Sequence, residues 1–586
     1  MRSGKKFTLG FLPSLLALLA LVVAACGGGT SGPTTTNQPA HAPKSQQIYR
    51  IGVVGTDIAT FDPGVSTDLY SINAIQMVFT GLIQLNDKLQ VTPQLAKSYE
   101  ASPDGLTWTF HLKPGLKFSD GTSLTANDVA YSIDRALSPD VASLNGVTLT
   151  YLGLIKDAAD RVNGKVKSLI GDSLKVVDDN TIQIVTSKKT AYFLEALTYP
   201  TAFVVEKSVI EKWGAKWTDH LSDNGGQGGD GPFKVKSYSH TTGIQFIPNP
   251  NYEGKQPQLQ EVDMNFYKSN ETSYQAYLAN QLDSSVVPAA HDAQAEAKPK
   301  EFHKYNTLTI SYVGMNFLAK PFDNVHIRQA FELAVNKDVL AKALYNGLRT
   351  PTCHIVPQGM PGYNANLQCP GGAPTKGDPT KAKALFQQGL QEEGLTLATF
   401  PPVKFTYPSG SATTENLITT MRQDWQQVLG VNVTAHVEDF NAMLSDLNAN
   451  VCTQTDLTKC QGKGLQMWTL AWGADYPDPQ DWLTLQFDKG APNNTWNYGQ
   501  NLCTCASAQQ QIQTQLEQAD ATVGNDAQRM SIYNQAEQSL VNDVAWMSMF
   551  QPTGNYNLKT YVVGVVDNAI NEVPPDDWGQ VYISTH

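Results

Sequence analysis

The chain has 586 residues, which is too long for one hydrophobic core, so two to four domains or lobes are expected. Hydrophobic residues make up 41% of it and charged residues 16%, the composition of an ordinary globular protein. The net charge of −12 and the lack of a basic cluster after residue 6 argue against nucleic acid as a partner.

The first 25 residues have the pattern of an export signal. Three basic residues precede an apolar run over residues 9–23, which ends in small residues directly before Cys26. A cysteine at this position resembles the bacterial lipoprotein signal, so residues 1–25 are predicted to be removed and Cys26 to carry a lipid. Their loss takes three positive charges away and changes the net charge from −12 to −15. A single-pass membrane anchor is the alternative, but Pro13 and Ser14 interrupt the apolar run.

Residues 26–46 are predicted to form the lipidated cysteine and a flexible tether. They are rich in Gly, Thr and Pro and have no apolar periodicity. The globular body is therefore expected at the extracytoplasmic face of a bacterial cell membrane, held there by the lipid on Cys26.

Six further cysteines in an exported chain favour disulfide bonds. Cys353 and Cys369 are the natural local pair, since the segment between them is rich in Pro and Gly. A zinc site is the alternative for Cys353 and its neighbour His354, but the repeated Cys-x-x-Cys spacing is missing and no metal is expected.

The other four cysteines are Cys452, Cys460, Cys503 and Cys505. Cys503 and Cys505 are separated by a single residue, which is tight for a direct bridge. This spacing favours cross-pairing with Cys452 and Cys460.

Local patterns predict several elements of the first half of the chain. A strand is expected over residues 48–54 and a helix from residue 70 to about residue 85. Residues 106–112 alternate between apolar and polar side chains, which predicts a half-buried strand. Thr125 and Asp128 then have the spacing of a helix start.

Two four-residue matches suggest a GDSL-type esterase. Residues 171–174 read Gly-Asp-Ser-Leu, and residues 323–326 read Asp-Asn-Val-His. A nucleophilic serine needs a free hydroxyl and a base within hydrogen-bond reach. Ser173 instead leads into a predicted β-hairpin over residues 174–185, and His326 begins a helix with an apolar stripe. The esterase stays a distant alternative, and no catalytic residue is assigned.

The segment from Trp468 to Trp482 has the most distinctive composition. Asp475 stands between Trp472 and Tyr476, and the prolines that follow stiffen the loop. A rigid carboxylate beside aromatic faces suits a ligand with an ammonium group. The alternative is an aromatic core in which the carboxylate caps a turn.

Five segments in order resemble the solute-binding proteins of the oligopeptide, dipeptide and nickel ABC transporters, known as solute-binding protein family 5. The last of them contains Trp-Gly-Ala-Asp-Tyr-Pro-Asp-Pro, and one departure from the family pattern is His326. Together the blocks span roughly residues 48–565. They are residues 60–63, 95–129, 229–252, 321–330 and 472–479.

This resemblance implies an α/β fold with two lobes, of the type II periplasmic-binding-protein-like class, and an extra inserted subdomain. The chain is expected to cross between the lobes near residues 305 and 548, which would act as a hinge. We predict the inserted subdomain at residues 91–225 and the second lobe at residues 306–547. The first lobe is predicted to combine residues 46–90, 226–305 and 548–586.

The resemblance also implies a function. A peptide, either a dipeptide or an oligopeptide, is expected to bind between the lobes, and the permease subunits of the transporter are expected to recognise the closed form. A nickel complex, a sugar or an opine is the alternative ligand. No cofactor and no chemical reaction are expected, and the protein is expected to be a monomer.

In the family's peptide binders, the aspartate of the matching loop binds the α-ammonium group of the ligand. The resemblance therefore implies this role for Asp475. Trp472 is expected to line the same pocket. Plain packing is at least as good an explanation for the weaker candidates. These candidates are Tyr476, Tyr312, Asn316, Trp496 and Tyr498.

Overall fold

The computed structural model describes residues 39–55, 57–145, 147–452, 454, 456–491, 493–500 and 506–586. The predicted signal, Cys26, Cys503 and Cys505 lie outside this part of the chain. Among the described helices, none combines the length and the apolar character needed to cross a bilayer.

The described strands are β1 (Ile48–Val54), β2 (Ile83–Leu85), β3 (Val91–Pro93), β4 (Ala96–Ala101), β5 (Thr107–Leu112), β6 (Leu174–Asp178), β7 (Thr181–Val185), β8 (Phe233–Ser239), β9 (Gly243–Pro248), β10 (Glu261–Tyr267), β11 (Ser284–Val286), β12 (Phe302–Asn306), β13 (Thr309–Met315), β14 (Arg349–Pro351), β15 (Val403–Pro408), β16 (Val433–Glu438), β17 (Met467–Gly473), β18 (Met547–Leu558), β19 (Val562–Val563) and β20 (Tyr582–Ile583).

The described helices are α1 (Leu69–Val78), α2 (Ala126–Ala136), α3 (Pro139–Asn145), α4 (Thr148–Leu152), α5 (Ala158–Val162), α6 (Phe193–Ala196), α7 (Lys207–Trp213), α8 (Asn270–Leu278), α9 (Asp292–Glu296), α10 (Val325–Leu333), α11 (Lys337–Tyr345), α12 (Pro379–Glu392), α13 (Ala412–Leu429), α14 (Phe440–Asn448), α15 (Thr484–Phe487), α16 (Ala506–Ala521) and α17 (Asp526–Asn542).

The largest sheet runs in the order β16-β15-β17-β13-β18-β11-β1-β10-β9-β8. The long strand β18 connects its two halves, because its first residues pair with β13 and its last residues pair with β11 and β12. One half is built from strands of the early chain and the other from strands after residue 308. The protein therefore has the expected two-lobed α/β fold, while the lobe boundaries and the hinge stay predictions.

A separate antiparallel sheet, β4-β5-β7-β6, lies within the region predicted to be an inserted subdomain. The predicted alternation of β5 is visible in its burial, since Phe110 is fully buried and its neighbour Thr109 is half-buried. Helix α2 begins at the expected capping box, in which the side chains of Thr125 and Asp128 each bond the other's backbone. The hairpin β6–β7 also forms as predicted.

The first predicted helix is shorter than expected. Helix α1 ends at Val78, and residues 83–85 form strand β2 instead. The backbone N–H and the hydroxyl of Thr80 both donate to the buried Asp230 carboxylate, at 2.9 and 2.6 Å. These bonds to a distant side chain replace the helical ones, and they turn β2 toward the site described below.

Part of the predicted tether is docked on the globular body. The His41 ring stacks on Tyr582 with 3.8 Å between ring centroids, and the Ala42 N–H donates to the Ile583 carbonyl at 2.8 Å. Gln47 adds two bonds of 2.8 Å with the same residue, one to its carbonyl and one from its N–H. The prediction of a flexible tether up to residue 46 therefore extends too far.

The expected disulfide between Cys353 and Cys369 forms, with 5.5 Å between the Cα atoms. The predicted cross-pairing of the other cysteines is wrong for the described residues, because Cys452 bonds to Cys460. The short turn 457–460 brings these two cysteines together, with 5.7 Å between their Cα atoms.

Candidate functional site

Strand β17 ends at Gly473. The loop that follows is held in its conformation by two carboxylates within the loop. Asp481 accepts a hydrogen bond of 3.0 Å from the Asp475 backbone N–H, and Asp478 accepts one of 2.9 Å from Gln480. The Asp478 carboxylate also binds the Arg529 guanidinium through two bonds, of 2.7 and 2.6 Å. The loop is therefore held rigidly against helix α17.

The tip of this loop enters the core of the region that carries the β4–β7 sheet. Tyr476 is 0% exposed and belongs to the hydrophobic cluster of that region. Its ring lies parallel to Tyr192 at 6.5 Å and edge-on to Tyr151 at 6.4 Å. Its hydroxyl donates to Gln480, so the buried phenol is satisfied within its own loop.

The neighbouring Asp475 faces two tyrosines of the same region. Tyr151, on helix α4, donates a hydrogen bond of 2.6 Å to the Asp475 carboxylate. Tyr151 is itself stacked on Tyr199, with 3.6 Å between ring centroids. The carboxylate therefore lies at a junction between a loop of the second half of the chain and aromatic side chains of the first.

Asp475 lines a cavity of about 30 Å³, which has space for water but not for a peptide. A larger ligand can enter only when the two walls separate. The lining residues are Gln76, Thr80, Gly81, Ile83, Gln84, Leu85, Asn86, Gln94, Thr198, Tyr199, Pro200, Phe203, Asp475, Asn568, Ile570, Glu572, Pro574 and Pro575.

The cavity is acidic. Burial raises the pKa of Asp475 to about 7, and the hydrogen bond from Tyr151 opposes that rise. Burial also raises the pKa of Glu572 to about 7, despite a hydrogen bond from Gln76, and the charge of Asp475 adds to the rise. The pKa of Asp481, behind Asp475, is raised by burial and by Asp475. No Lys, Arg or His lines this cavity within the described residues, so the arrangement suits a cation.

Residues 90–494 match the sequence profile of the bacterial extracellular solute-binding proteins, family 5, middle region. The chain belongs to this family. It is similar to the oligopeptide-binding protein OppA of Bacillus subtilis, with 27% identity over 487 residues that cover 82% of this chain and 84% of that one. It is also similar to the probable deoxycholate-binding periplasmic protein YgiS of Escherichia coli, with 27% identity over 511 residues, 85% of this chain and 90% of that one.

The fold of this family 5 protein is also similar to that of a solved structure. The structure of the Escherichia coli murein tripeptide binding protein MppA matches with a TM-score of 0.74 and 21% identity, and the match covers 92% of this chain and 99% of that one.

The other predicted ligand contacts lie away from the cavity. Trp472 is half-buried against an aromatic cluster and faces Asp481, whose pKa it helps to restrain. Tyr312 is stacked on Trp546 with 4.2 Å between ring centroids, and Trp496 packs on the same tryptophan.

The two remaining candidates are held by hydrogen bonds within the protein. Asn316 is 2% exposed and binds the backbone and Asn497. Tyr498 is fully buried and donates to Asp543 at 3.0 Å. Packing accounts for all these positions, and a role in ligand binding stays a prediction for each.

The residues of the esterase pattern do not come together. Ser173 is 0% exposed at the entrance of the β6–β7 hairpin. His326 contacts Glu392 at 2.8 Å on the outer side of helix α10. A hydroxyl enclosed in this way has no access to a substrate ester.

Three wall residues escaped the sequence analysis: Tyr151, Tyr199 and Glu572. Each lies far from Asp475 in sequence, and none belongs to a recognisable local pattern. The closely spaced Tyr192 and Tyr199 are a signal in the sequence that could have pointed to this wall.

Proposed function

We propose that this family 5 protein binds peptides with a free amino terminus between its two lobes and presents them to the permease of an ABC importer. The observation that carries the proposal is the placement of Asp475 in an acidic cavity between two walls from distant parts of the chain. The resemblance to OppA of Bacillus subtilis supports a peptide as the ligand.

In this proposal the α-ammonium group of the peptide replaces the Tyr151 hydroxyl or joins it at the Asp475 carboxylate. The enclosed, charge-assisted contact contributes about 2–5 kcal/mol, counted as the loss on truncation. A ligand that touches both walls stabilises the closed form, and the permease recognises that form. The protein makes and breaks no bond, and it needs no cofactor.

We also propose that the protein is located outside the cytoplasm. Removal of residues 1–25 and lipidation of Cys26 anchor the chain at the extracytoplasmic face of the membrane, and the protein acts as a monomer. A non-peptide solute is the second possibility in this family. The acidic lining disfavours an anionic solute such as a bile acid or a sugar acid, because no cation is present among the described lining residues to balance its charge.

Mass spectrometry of the ligand released from the purified, denatured protein tests the ligand class directly, and peptides are the expected result.

Calorimetric titration tests the role of Asp475. Titration with a peptide mixture compares the wild type with Asp475→Asn, which keeps the shape of the side chain and removes its charge. Affinity is expected to fall about 30-fold or more in this variant. The matched control is Asp446→Asn on the exposed face of α14, which should bind like the wild type. Unchanged affinity of Asp475→Asn rejects the assignment of this residue.

A further inference from the structure

The cavity contains a second carboxylate that the α-ammonium group of a peptide does not account for. Glu572 lines the cavity together with Asp475. Its carboxylate accepts a hydrogen bond of 2.5 Å from Gln76, and its backbone N–H donates to the Asn568 side chain at 3.1 Å. Both contacts fix Glu572 in the wall, so its position is part of the built site and not that of a mobile surface side chain.

Two amide side chains, of the buried Gln94 and the half-buried Gln84, provide further acceptors in the same wall. The side-chain nitrogen of Gln94 donates to the Tyr252 hydroxyl at 2.9 Å, while that hydroxyl donates to Asp576 at 2.7 Å. The nitrogen of Gln84 donates to the same Asp576 carboxylate at 3.2 Å. Because a carboxylate and a tyrosine oxygen whose proton is already donated can only accept, this network fixes which end of each amide is the nitrogen.

The consequence is that both amide oxygens are left without a hydrogen-bond donor among the described residues. The oxygens of Gln84 and Gln94 are buried and unpartnered, and Gln94 is only 2% exposed. Both side chains line the cavity. A buried polar atom without a partner is costly, so an acceptor kept in this state indicates a donor that arrives with the ligand or with water.

The wall therefore combines two carboxylates with two free amide oxygens, and no basic residue lines it among the described residues. A single ammonium group has three N–H donors and one charge, which Asp475 alone can balance. The carboxyl end of a peptide does not fit beside Glu572, since two carboxylates repel each other. The remaining acceptors match a second cationic group with several donors, as in a guanidinium or a side-chain ammonium group.

We propose that the cavity has a second cation subsite, formed by Glu572, Gln84 and Gln94, which selects peptides whose amino-terminal residue is arginine or lysine. This inference rests on the proposed function, in which Asp475 receives the α-ammonium group. Because the two carboxylates line one small cavity, the two charges of a single residue can reach both. Arginine fits best, because its planar fork of N–H groups can bond a carboxylate and an amide oxygen together.

The test uses two pairs of tripeptides that differ in charge but hardly in shape. One pair begins with arginine or citrulline, and the other begins with lysine or 2-aminoheptanoic acid, in which a methyl group takes the place of the side-chain ammonium group; each is followed by two alanines. Calorimetric titration of the wild type is expected to give about 10- to 100-fold tighter binding for the charged member of each pair. Equal affinity within both pairs overturns the inference, while failure of all four peptides to bind points instead to failure of the proposed function.

A variant assigns the effect to the residue. In Glu572→Gln the preference for arginine over citrulline should shrink to about threefold or less, while the affinity for the citrulline peptide stays near that of the wild type. The matched control, Glu415→Gln on the exposed face of α13, should keep the full preference. A Glu572→Gln protein that folds, as shown by its melting temperature, and retains the full preference overturns the role of Glu572. If the variant does not fold, the wild-type comparison of the peptide pairs decides.

Discussion

The hydroxyl of Tyr151 donates a hydrogen bond of 2.6 Å to the carboxylate of Asp475, although 324 residues separate the two in the chain. Tyr151 belongs to α4 in the region of the β4–β7 sheet, and Asp475 follows β17 of the other sheet. The bond therefore joins the two walls of the cavity at the point where we place the peptide amino terminus. It also favours the ionised carboxylate, since it opposes the increase in pKa that burial causes.

Replacing Tyr151 by phenylalanine removes this bond and keeps the ring. We expect the pKa of Asp475 to rise further, and the affinity for peptides to fall by about 1–2 kcal/mol at neutral pH. Calorimetric titrations over a range of pH values should show the midpoint of binding moved to higher pH. Tyr199→Phe is the control, because its hydroxyl donates to the Ser66 carbonyl and not to Asp475. Identical pH profiles for both variants would contradict the role of Tyr151.

The raised pKa of Asp475 predicts how stability depends on pH. An acid whose pKa increases on folding, here to about 7, binds its proton more tightly in the folded state, so its contribution opposes folding once the pH rises from about 4 through about 7. Asp475→Asn should therefore raise the free energy of unfolding of the ligand-free protein at pH 8 by an amount on the order of 1–3 kcal/mol, seen as a higher melting temperature, and have little effect at about pH 4. Thermal unfolding of both proteins at the two pH values measures this. A variant less stable than the wild type at pH 8 would count against a buried, uncompensated charge.

Tyr476 should be important for closure. It follows strand β17 in the chain, but its ring is fully buried in the hydrophobic cluster of the region that carries the β4–β7 sheet. Tyr476→Ala removes about 3–5 kcal/mol of packing, and most of this loss falls on the closed form. We expect a larger radius of gyration by small-angle scattering without peptide, and weaker peptide binding. The control is Leu390→Ala, which opens a cavity inside one lobe and should lower stability without changing the radius. The same radius for the wild type and Tyr476→Ala would show that this contact does not hold the walls together.

The two disulfides predict distinct losses of stability. The bond between Cys353 and Cys369 spans 16 residues and the bond between Cys452 and Cys460 spans 8, so chain entropy alone assigns them about 3 and about 2.5 kcal/mol. Replacing either pair by alanine should lower the melting temperature, slightly more for the first pair. Peptide mapping without reduction should recover both linked fragments. A fragment that links Cys452 or Cys460 to Cys503 or Cys505 would reverse the pairing described here.

Elements that depend on neighbouring residues were predictable from the sequence. The capping box of Thr125 and Asp128 and the hairpin of β6 and β7 are specified within a few residues, and both form as expected. The first helix was predicted too long because its end depends on Asp230, 150 residues away from Thr80. Local periodicity contains no information about such a partner.

The same distinction applies to the site. The composition of the loop around Asp475 marked it as unusual, and its rigidity follows from residues within the loop. The opposite wall comes from Tyr151, Tyr199 and Glu572, which only the fold brings near. Tyr312 and Trp496 were candidates because aromatic residues are common in both binding sites and cores, and sequence alone cannot separate the two.

The stacking of His41 on Tyr582 has a practical consequence. Because these two rings lie 3.8 Å apart, the beginning and the end of the folded body are neighbours. A short linker can join them in a circularly permuted gene, and new termini can be opened at the exposed turn around Gly410. A fluorescent protein fused at that turn would convert capture of a nutrient into an optical signal.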